Sequence, residues 1–329
     1  MNVYRDNAQP VLVDSFAILE HVDQALAIAA AWSAVEARAS GAETVRATLP
    51  YRGGWMRLMA GVVPSLGVFG YKEFHLAADN SVRYVVHLFD MDSGRPLGAV
   101  DAALVTTLRT AGTAAVATEK FFGRGASVEL AVIGSGAEAL AGVRALHSVL
   151  HLSGVRVTSR SAANREKFGA TIDEELGLPV TATADPTLAI RGAGMIYAAT
   201  ASGGRVVVHL TDIGGVPFLA SIGSTLPVQR ELDADVLVGA ERVVVDTWDV
   251  LEESGDALAA IDAGLDRARI QILGEMPSGG AEAAEGLTVY KSIGSPEQDL
   301  VLADMILKAA GQQGFGRPME PLASVKRNL

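Results

Sequence analysis

The sequence predicts an α/β fold in which a mostly parallel sheet is inserted into an α+β domain. Strand and helix patterns alternate between residues 128 and 291, which is typical of a parallel sheet covered by helices on both faces. Residues 45–100 instead carry short apolar segments separated by turn residues, and this pattern favours an antiparallel sheet. The expected strands of the inserted part are 128–133, 155–159, 178–182, 194–199, 216–222, 242–246 and 287–290.

A helix is expected at the start of the chain, over residues 14–38, with Asp14 or Ser15 as its N-cap. Its apolar positions recur at helical spacing, and a second stripe runs beside the first. The first stripe consists of Phe16, Leu19, Val22, Leu26 and Ala29, and the second of Ile28, Trp32 and Val35.

Two further helices mark the borders of the inserted domain. One covers about residues 101–121 and begins at Asp101, and the other covers about residues 297–311. We expect the segment after the last helix to fold back onto the first domain. Residues 1–120 and 312–329 are therefore assigned to an α+β domain, and residues 121–311 to the inserted domain.

The composition excludes several classes of function. The chain has 329 residues, no cysteine and a net charge of −11. The charge makes nucleic acid and anionic membranes poor partners, and the lack of cysteine removes disulfides, thiol catalysis and Cys-based metal sites. No metal site is predicted. The N-terminus has no apolar signal core and no run of about 18 apolar residues occurs, so we expect a cytoplasmic protein.

A glycine turn follows the first expected strand of the inserted domain. Residues 134–139 read Gly-Ser-Gly-Ala-Glu-Ala, the G-x-G-x-x-A form of the dinucleotide-binding turn. Gly134 permits a sharp turn, Gly136 allows close approach of a pyrophosphate, and Ala139 keeps the next helix near the sheet. The inserted domain is therefore predicted to be a Rossmann-type NAD(P)-binding domain. The expected contacts at this turn are Gly134, Ser135, Gly136, Ala137 and Glu138.

The end of the second expected strand favours NADP(H) over NAD(H). An acidic residue near this point would accept a hydrogen bond from a free ribose 2′-hydroxyl, but the chain has Ser159-Arg160-Ser161, with Arg165 close behind. Two hydroxyls and a guanidinium suit the 2′-phosphate of NADP(H). The alternative is that Arg160 and Arg165 are ordinary solvated charges on a strand–helix loop.

Several motifs lie around the glycine turn. They are Arg46 with Arg57-Leu-Met59, Gly70-Tyr-Lys72, the run Thr106–Ala115 before the glycine turn, Ile222–Asp233, Val243–Asp246, and Thr288–Gly294 followed by Asp299-Leu. Together they resemble the ornithine cyclodeaminase/mu-crystallin family, in the right order over roughly residues 10–315. The resemblance implies an NAD(P)-binding domain, an α+β domain that dimerises through its sheet, and an active site in the cleft between them. It also implies hydride transfer at the carbon that bears nitrogen in a small amino or imino acid.

The resemblance implies roles for individual residues. Lys72 and Arg109 would bind the substrate carboxylate with help from Arg46, and Met59 would line the same pocket. Lys72 is also a candidate proton donor to the imine nitrogen, provided that neighbouring arginines lower its pKa. Further cofactor contacts are expected at Thr110, Ala199, Thr200, Ala201, Ser292 and Gly294.

Two positions depart from the family pattern. Cyclodeaminases carry an Asp where this chain has Thr225, and a Thr hydroxyl is no general base near neutral pH. Glu138 stands where the family usually has Gln, which places a carboxylate near the pyrophosphate. Thr225 is assigned a catalytic role in orienting a water or the substrate nitrogen.

The favoured function is NADPH-dependent reduction of a small cyclic ketimine, such as a pyrroline- or piperideine-2-carboxylate, or the reverse amino-acid dehydrogenation. Two alternatives stay open. One is an ornithine cyclodeaminase, an ammonia lyase that recycles bound NAD. The other is a non-catalytic NADP-dependent ligand-binding protein of the mu-crystallin type.

Overall fold

The computed structural model describes residues 9–77, 79, 81–279 and 285–320. The described chain divides into two compact units. The first comprises the residues up to Arg109 and those from Ser295 onward, and the second comprises Thr110–Gly294. The borders thus fall at 109/110 and 294/295, whereas the sequence placed them at 120/121 and 311/312.

In the first part of the chain, one strand is followed by two helices, then by five strands and a long helix. In chain order the elements are β1 (Val11–Val13), α1 (Ser15–His21), α2 (Gln24–Ala39), β2 (Glu43–Tyr51), β3 (Gly54–Val63), β4 (Val68–Leu76), β5 (Val82–Asp90), β6 (Pro96–Asp101) and α3 (Ala102–Phe122).

The second unit and the C-terminal segment supply the remaining elements. They are β7 (Ser127–Ile133), α4 (Ala137–Val149), β8 (His151–Thr158), α5 (Ala162–Leu176), β9 (Val180–Thr183), α6 (Pro186–Ile190), β10 (Met195–Ala198), α7 (Leu210–Ile213), β11 (Phe218–Ser221), α8 (Ala234–Val238), β12 (Arg242–Val245), α9 (Val250–Glu253), α10 (Gly255–Asp262), β13 (Ile270–Ile272), β14 (Thr288–Lys291), α11 (Pro296–Gln313) and β15 (Arg317–Pro318).

The first unit contains the antiparallel sheet that the sequence predicts. Its strand order in the described chain is β15-β1-β6-β5-β4-β3-β2, and all neighbours from β2 to β6 are antiparallel. Helix α11 packs on one face of this sheet, with Leu300 against Gly61 and Gly70. A Cβ at either glycine would lie 3.2–3.3 Å from a Leu300 methyl carbon. The last helix therefore belongs to the first unit, and β15 pairs with β1 as the expected fold-back requires.

The N-terminal helical pattern is two helices rather than one. Asp14 caps α1 and Asp23 caps α2, each accepting from a backbone N–H three residues on. The break changes which apolar side chains are buried. Ile18 of α1 is buried, whereas Phe16 and Leu19 are 82% and 70% exposed. Asp is a preferred N-cap residue, so Asp23 could have indicated that a second helix begins there.

The second unit is the predicted parallel α/β domain. Its strand order in the described chain is β13-β12-β14-β11-β10-β7-β8-β9, with every pairing parallel. All seven expected strands of this domain are present, although β8 begins at His151 rather than at 155. The short edge strand β13 was not predicted. In the described part of the chain, no helix is both long and apolar enough to cross a bilayer.

Candidate functional site

Three of the four predicted substrate-binding residues lie in one row across the first sheet. Arg46 of β2 pairs with Met59 of β3, and Met59 pairs with Lys72 of β4. Residues paired across adjacent strands project to the same face, so these side chains are direct neighbours. This is the face on which α11 packs, and Met59 and Lys72 are both buried there.

Lys72 is a buried cation with a carboxylate partner. Its Nζ lies 2.7 Å from Oδ2 of Asp299, in the first turn of α11, and 3.5 Å from Oγ1 of Thr106. Burial lowers the pKa of Lys72 to about 8; the Asp299 carboxylate opposes this shift, and the charges of Arg109 and Arg46 add to it. A pKa of about 8 leaves Lys72 protonated near neutral pH, yet able to give up its proton.

Arg109, the fourth predicted residue, shares the same carboxylate. Its Nε lies 3.4 Å from Oδ1 of Asp299, and its Nη1 is 3.4 Å from Oε1 of Gln298. Asp299 therefore stands between two buried cations. In the sequence, Asp299 belongs to a segment that resembles the family, but no role was assigned to it. Its burial could have been expected from its position at the start of a helix, on the side that also carries the buried Leu302 and Ile306.

The arrangement suits a small ligand with a negative charge. Arg46, Lys72 and Arg109 bring three positive charges together, and Asp299 pairs with Lys72 and Arg109. Guanidinium groups bind carboxylates through paired charged hydrogen bonds, which fix the orientation of the ligand as well as its position. Lys72 adds a proton that can be transferred.

In the second unit, almost all predicted cofactor residues lie at one edge of the sheet. The neighbouring parallel strands β14, β11, β10, β7 and β8 are followed in turn by Ser292, Thr225, Thr200, Gly134 and Ser159. The chain runs from β7 outward to β8 and β9 and then returns to β10 on the other side of β7. Ligands of open α/β sheets bind at such a reversal, beyond the carboxyl ends of the strands. Thr110, by contrast, is buried on α3.

The glycine turn fits a pyrophosphate. Gly134 has a φ of +120°, and a Cβ there would lie 2.3 Å from the carbonyl oxygen of Ala199. A Cβ on Gly136 would point into open space, where a ligand can approach the N-terminus of α4. Ala137 and Glu138 are the first two residues of that helix.

The close contact between helix and sheet depends on a different residue from the one predicted. Ala139 is buried, but the tightest approach is at Gly142, where a Cβ would lie 2.1 Å from Cε1 of Tyr197 on β10. The sequence assigned this role to Ala139 because the fingerprint ends there.

The end of β8 has the polar groups that the sequence predicts for the adenosine ribose. The hydroxyls of Ser135 and Ser159 are 2.7 Å apart, and Arg165 donates to the carbonyl oxygen of Ser159. Ser161 caps α5 by accepting from the Asn164 N–H, and Arg160 is exposed. The guanidinium of Arg165 thus lies against this turn rather than extending into solvent.

Thr225 belongs to a loop that Gln229 holds in place. Both the N–H and the hydroxyl of Thr225 donate to Oε1 of Gln229, at 3.0 and 3.2 Å. Beside this loop lies the fully buried carboxylate of Glu231. Its Oε1 accepts from the Ser221 hydroxyl and the Gly223 N–H, and its Oε2 accepts from the N–H and hydroxyl of Thr200.

Two further buried groups tie these loops to the sheet. Nζ of Lys291 donates to the Ser221 hydroxyl at 2.9 Å and lies 3.3 Å from Oδ2 of Asp256. Asp246 accepts from the Ser292 hydroxyl and the Gly294 N–H, at 2.7 and 2.8 Å. The predicted contacts Thr200, Ser292 and Gly294 are therefore fixed by acids to which the sequence assigned no role. Ala199 and Ala201 flank Thr200 in the same loop.

A parallel sheet with a glycine turn at its switch point is the architecture of a dinucleotide-binding protein, and the first unit adds a cluster of three cations. The model of the Ornithine cyclodeaminase/mu-crystallin family matches residues 15–314, and the chain belongs to this family.

Similar proteins include reductases of imino acids. A Delta(1)-pyrroline-2-carboxylate reductase of Bacillus cereus is 28% identical over 84% of this chain and 88% of its own length. The ketimine reductase mu-crystallin of mouse is 30% identical over 67% of each chain. The structure of the iminosuccinate reductase of Paracoccus denitrificans in complex with NAD+ superposes with a TM-score of 0.86, at 26% identity, covering 95% of this chain and 100% of that one.

Proposed function

We propose that the protein reduces the C=N bond of a small 2-imino acid with NAD(P)H, and oxidises the corresponding amino acid in reverse. The proposed substrate class is a ketimine of the pyrroline- or piperideine-2-carboxylate type. The observation that carries the proposal is the buried Lys72, which has a pKa of about 8 and lies beside two arginines and the Asp299 carboxylate. The reductases among the similar proteins support it.

The roles of the residues follow from their charges. Arg46 and Arg109 bind the substrate carboxylate and orient the imine, since a guanidinium fork matches a carboxylate in geometry. Lys72 gives a proton from Nζ to the nitrogen, while the carbon of the C=N bond takes up a hydride, so that the bond becomes CH–NH. A bound NAD(P)H supplies that hydride. Gly134, Gly136 and the N-terminus of α4 would hold its pyrophosphate.

The Thr225 loop argues against a lyase reaction. A cyclodeaminase of this family needs an acid at this position, and Thr225 donates its hydroxyl to Gln229. The nearest acid in the loop, Glu231, is fully buried and accepts from four donors, so it does not replace the missing group. Besides the hydride that a bound NAD(P)H would supply, reduction needs only positioning and a proton donor, both of which the first unit supplies.

We further propose that NADP(H) is preferred over NAD(H). Ser159, Arg160 and Ser161 follow β8 directly, and no acidic residue occurs before Arg165. A 2′-phosphate would meet hydroxyls and guanidinium groups, whereas a free 2′-hydroxyl would find no carboxylate to accept its hydrogen bond.

A cytoplasmic location stays a prediction.

We also propose that the protein forms a homodimer through the first sheet. The sheet face opposite Lys72 is apolar and exposed at β2, where Val45 and Leu49 are 61% and 58% exposed. The same face continues with the stacked rings of Phe69 and Phe89, whose centroids are 5.2 Å apart. An apolar surface of this kind marks an interaction site, and a second copy offers the matching surface.

The test is a spectrophotometric assay with purified protein. We expect oxidation of NADPH with Δ1-pyrroline-2-carboxylate or Δ1-piperideine-2-carboxylate, and a loss of at least about 100-fold in kcat for Lys72→Met. Lys308→Met in α11 serves as the matched control and should retain activity, because Lys308 pairs with Asp304 one turn away on its own helix.

The alternatives give different results in the same experiment. Ammonia release from ornithine without net oxidation of NADPH would show a cyclodeaminase instead. Tight NADPH binding with no turnover of any imine would indicate a ligand-binding protein. If Thr225 is what excludes the lyase reaction, Thr225→Asp should gain ammonia release from ornithine while Thr225→Val should not.

A further inference from the structure

We infer that the ring of Phe74 holds the ammonium group of Lys72, so that Phe74 is a positioning residue for the proton donor of the site. The role in catalysis rests on the proposed reductase function, whereas the contact itself joins two residues of the first unit. Phe74 acts through Lys72, and the inference assigns it no contact of its own with the substrate.

The two side chains meet because of their places on one strand. Lys72 and Phe74 are two positions apart on β4, so both project to the face of the sheet on which α11 packs. Nζ of Lys72 lies over the ring of Phe74, 5.2 Å from its centroid. An ammonium group within about 6 Å of a ring centroid is attracted by the negative potential of the ring face. The attraction is strongest where water is excluded, and Lys72 is only 1% exposed.

Two further aromatic side chains hold the ring of Phe74 in this position. The ring of Tyr84, its partner on β5, stacks on it with centroids 5.2 Å apart and planes 11° apart. The ring of Trp55 meets it edge-on, at 5.5 Å and 89°. Arg57, its partner on β3, donates from Nε to Thr48 on β2, on the far side of β3. Contacts with two rings therefore restrict the rotation of Phe74 beneath Lys72.

The other groups around Nζ show what the ring contributes. The carboxylate of Asp299 in α11 lies at 2.7 Å, and Oγ1 of Thr106 on α3 lies at 3.5 Å. Burial and the charges of Arg109 and Arg46 favour the neutral amine and lower the pKa of Lys72. The ring adds a second attraction for the cation beside that of Asp299.

A ring stabilises the cation without engaging a proton as strongly as a carboxylate does. The ammonium group has three N–H donors, and the Asp299 carboxylate lies within hydrogen-bond distance of it. A second carboxylate in place of Phe74 would bind another N–H and oppose its release. The ring instead attracts the charge as a whole, so it keeps Lys72 protonated and oriented while leaving a proton for the imine nitrogen.

The first experiment replaces Phe74 by phenylalanines that carry one, two or three fluorines on the ring. Fluorine withdraws electron density from the ring face but changes the shape of the ring very little, so the packing is kept. The pKa of Lys72 is measured by carbon-13 NMR of the lysine Cε atoms, and the resonance is assigned by its loss in Lys72→Met. We expect this pKa to fall from about 8 with each added fluorine, by about 0.5–1 in total.

Ordinary substitutions and a control accompany this series. Phe74→Leu removes the ring and should lower the pKa of Lys72 by a similar amount, whereas Phe74→Tyr keeps a ring and should preserve it. The matched control is Phe69→Leu on the same strand, because Phe69 stacks on Phe89 on the opposite face of the sheet. It should leave the pKa of Lys72 unchanged. An equal pKa in the wild type and in the trifluorinated protein would overturn the inference and leave the reductase function intact.

Kinetics then test the role in catalysis. In each variant, the alkaline limb of kcat/KM for the imine should move to lower pH by as much as the pKa of Lys72 falls, because only the protonated lysine gives a proton. An equal loss of kcat/KM at every pH, with the limb unmoved, would mean that Phe74 only fills space and would contradict the inference. If no imine is reduced, the proposed function fails, but the NMR titration still decides whether the ring holds the ammonium group.

Discussion

Lys72 on β4 and Asp299 in α11 form a buried ion pair, with Nζ and Oδ2 2.7 Å apart. The pair joins the sheet to the helix that covers it, and Asp299 extends the same contact to Arg109. A buried charge is costly unless it is paired, so Asp299 allows two cations to be held out of water before any ligand arrives. It is thus a positioning residue that also tunes the proton affinity of Lys72.

Replacing Asp299 should alter the pH dependence of reduction. Lys72 gives its proton only when protonated, so kcat/KM of the wild type should fall as the pH rises through about 8. The Asp299 carboxylate raises the pKa of Lys72 against the effect of burial. In Asp299→Asn that pKa is lower, so the alkaline limb of the profile should move to lower pH. The measurement is kcat/KM for the imine from pH 6 to pH 10.

The same variant should also lose activity at neutral pH. Loss of a charged hydrogen bond costs about 1–3 kcal/mol, which is roughly 5- to 150-fold in kcat/KM. Asp304→Asn is the matched control, because Asp304 lies on the same helix and pairs with Lys308. A profile of Asp299→Asn that keeps the wild-type midpoint would show that Asp299 does not act on Lys72.

Much of the fold follows from patterns that are local in the sequence. The glycine turn places its own strand and helix, and the apolar strands that follow have the lengths and spacing of a parallel sheet. Arg46, Met59 and Lys72 were grouped by resemblance to a family, and the register of β2, β3 and β4 provides the physical reason. The register of long antiparallel strands is set by the packing of the whole sheet, which no single segment reveals.

The residues that sequence reasoning missed are buried acids. Asp299, Glu231 and Asp246 each accept from groups far away in the chain. An isolated Asp or Glu is usually a solvated charge, so burial becomes apparent only when its partners are known. The prediction for Phe16 and Leu19 was wrong in the opposite direction. The apolar spacing placed both residues in one helical stripe, but the helix breaks at Asp23 and both side chains are exposed.

Ser159→Asp should shift the cofactor preference toward NADH. The added carboxylate would repel a 2′-phosphate and would accept a hydrogen bond from a free ribose 2′-hydroxyl. We expect KM for NADPH to rise about tenfold or more, and KM for NADH to stay constant or fall. Ser159→Ala is the control, since it removes the hydroxyl without adding charge and should change the ratio much less. A wild-type enzyme with equal KM for both cofactors would contradict the proposed preference.

Leu49→Glu should convert a homodimer into a monomer. Leu49 is 58% exposed on β2, on the sheet face away from Lys72, and a buried unpaired charge at an interface is strongly unfavourable. The measurement is the mass in solution by sedimentation equilibrium. Leu188→Glu in α6 is the control, with a similar exposure of 53% in the other unit. A wild-type monomer, or a dimer that survives Leu49→Glu, would argue against this interface.

Glu231→Gln should destabilise the second unit and weaken cofactor binding together. Each carboxylate oxygen of Glu231 accepts one backbone N–H, from Gly223 at 2.7 Å and from Thr200 at 3.0 Å. Either orientation of the Gln amide therefore sets its NH2 group against a backbone N–H, donor facing donor. In a fully buried position this costs about 2–4 kcal/mol, which corresponds to a fall of about 5–10 °C in Tm for a unit of this size.

Cofactor affinity distinguishes a local effect from general loss of stability. Thr200 follows β10 at the switch point, so loosening it should raise the Kd for NADPH at temperatures at which the variant is still folded. Glu175→Gln is the matched control, because Glu175 pairs with Arg144 at the surface and such pairs contribute at most about 1 kcal/mol. An unchanged Tm and Kd in Glu231→Gln would mean that the carboxylate does not hold these loops.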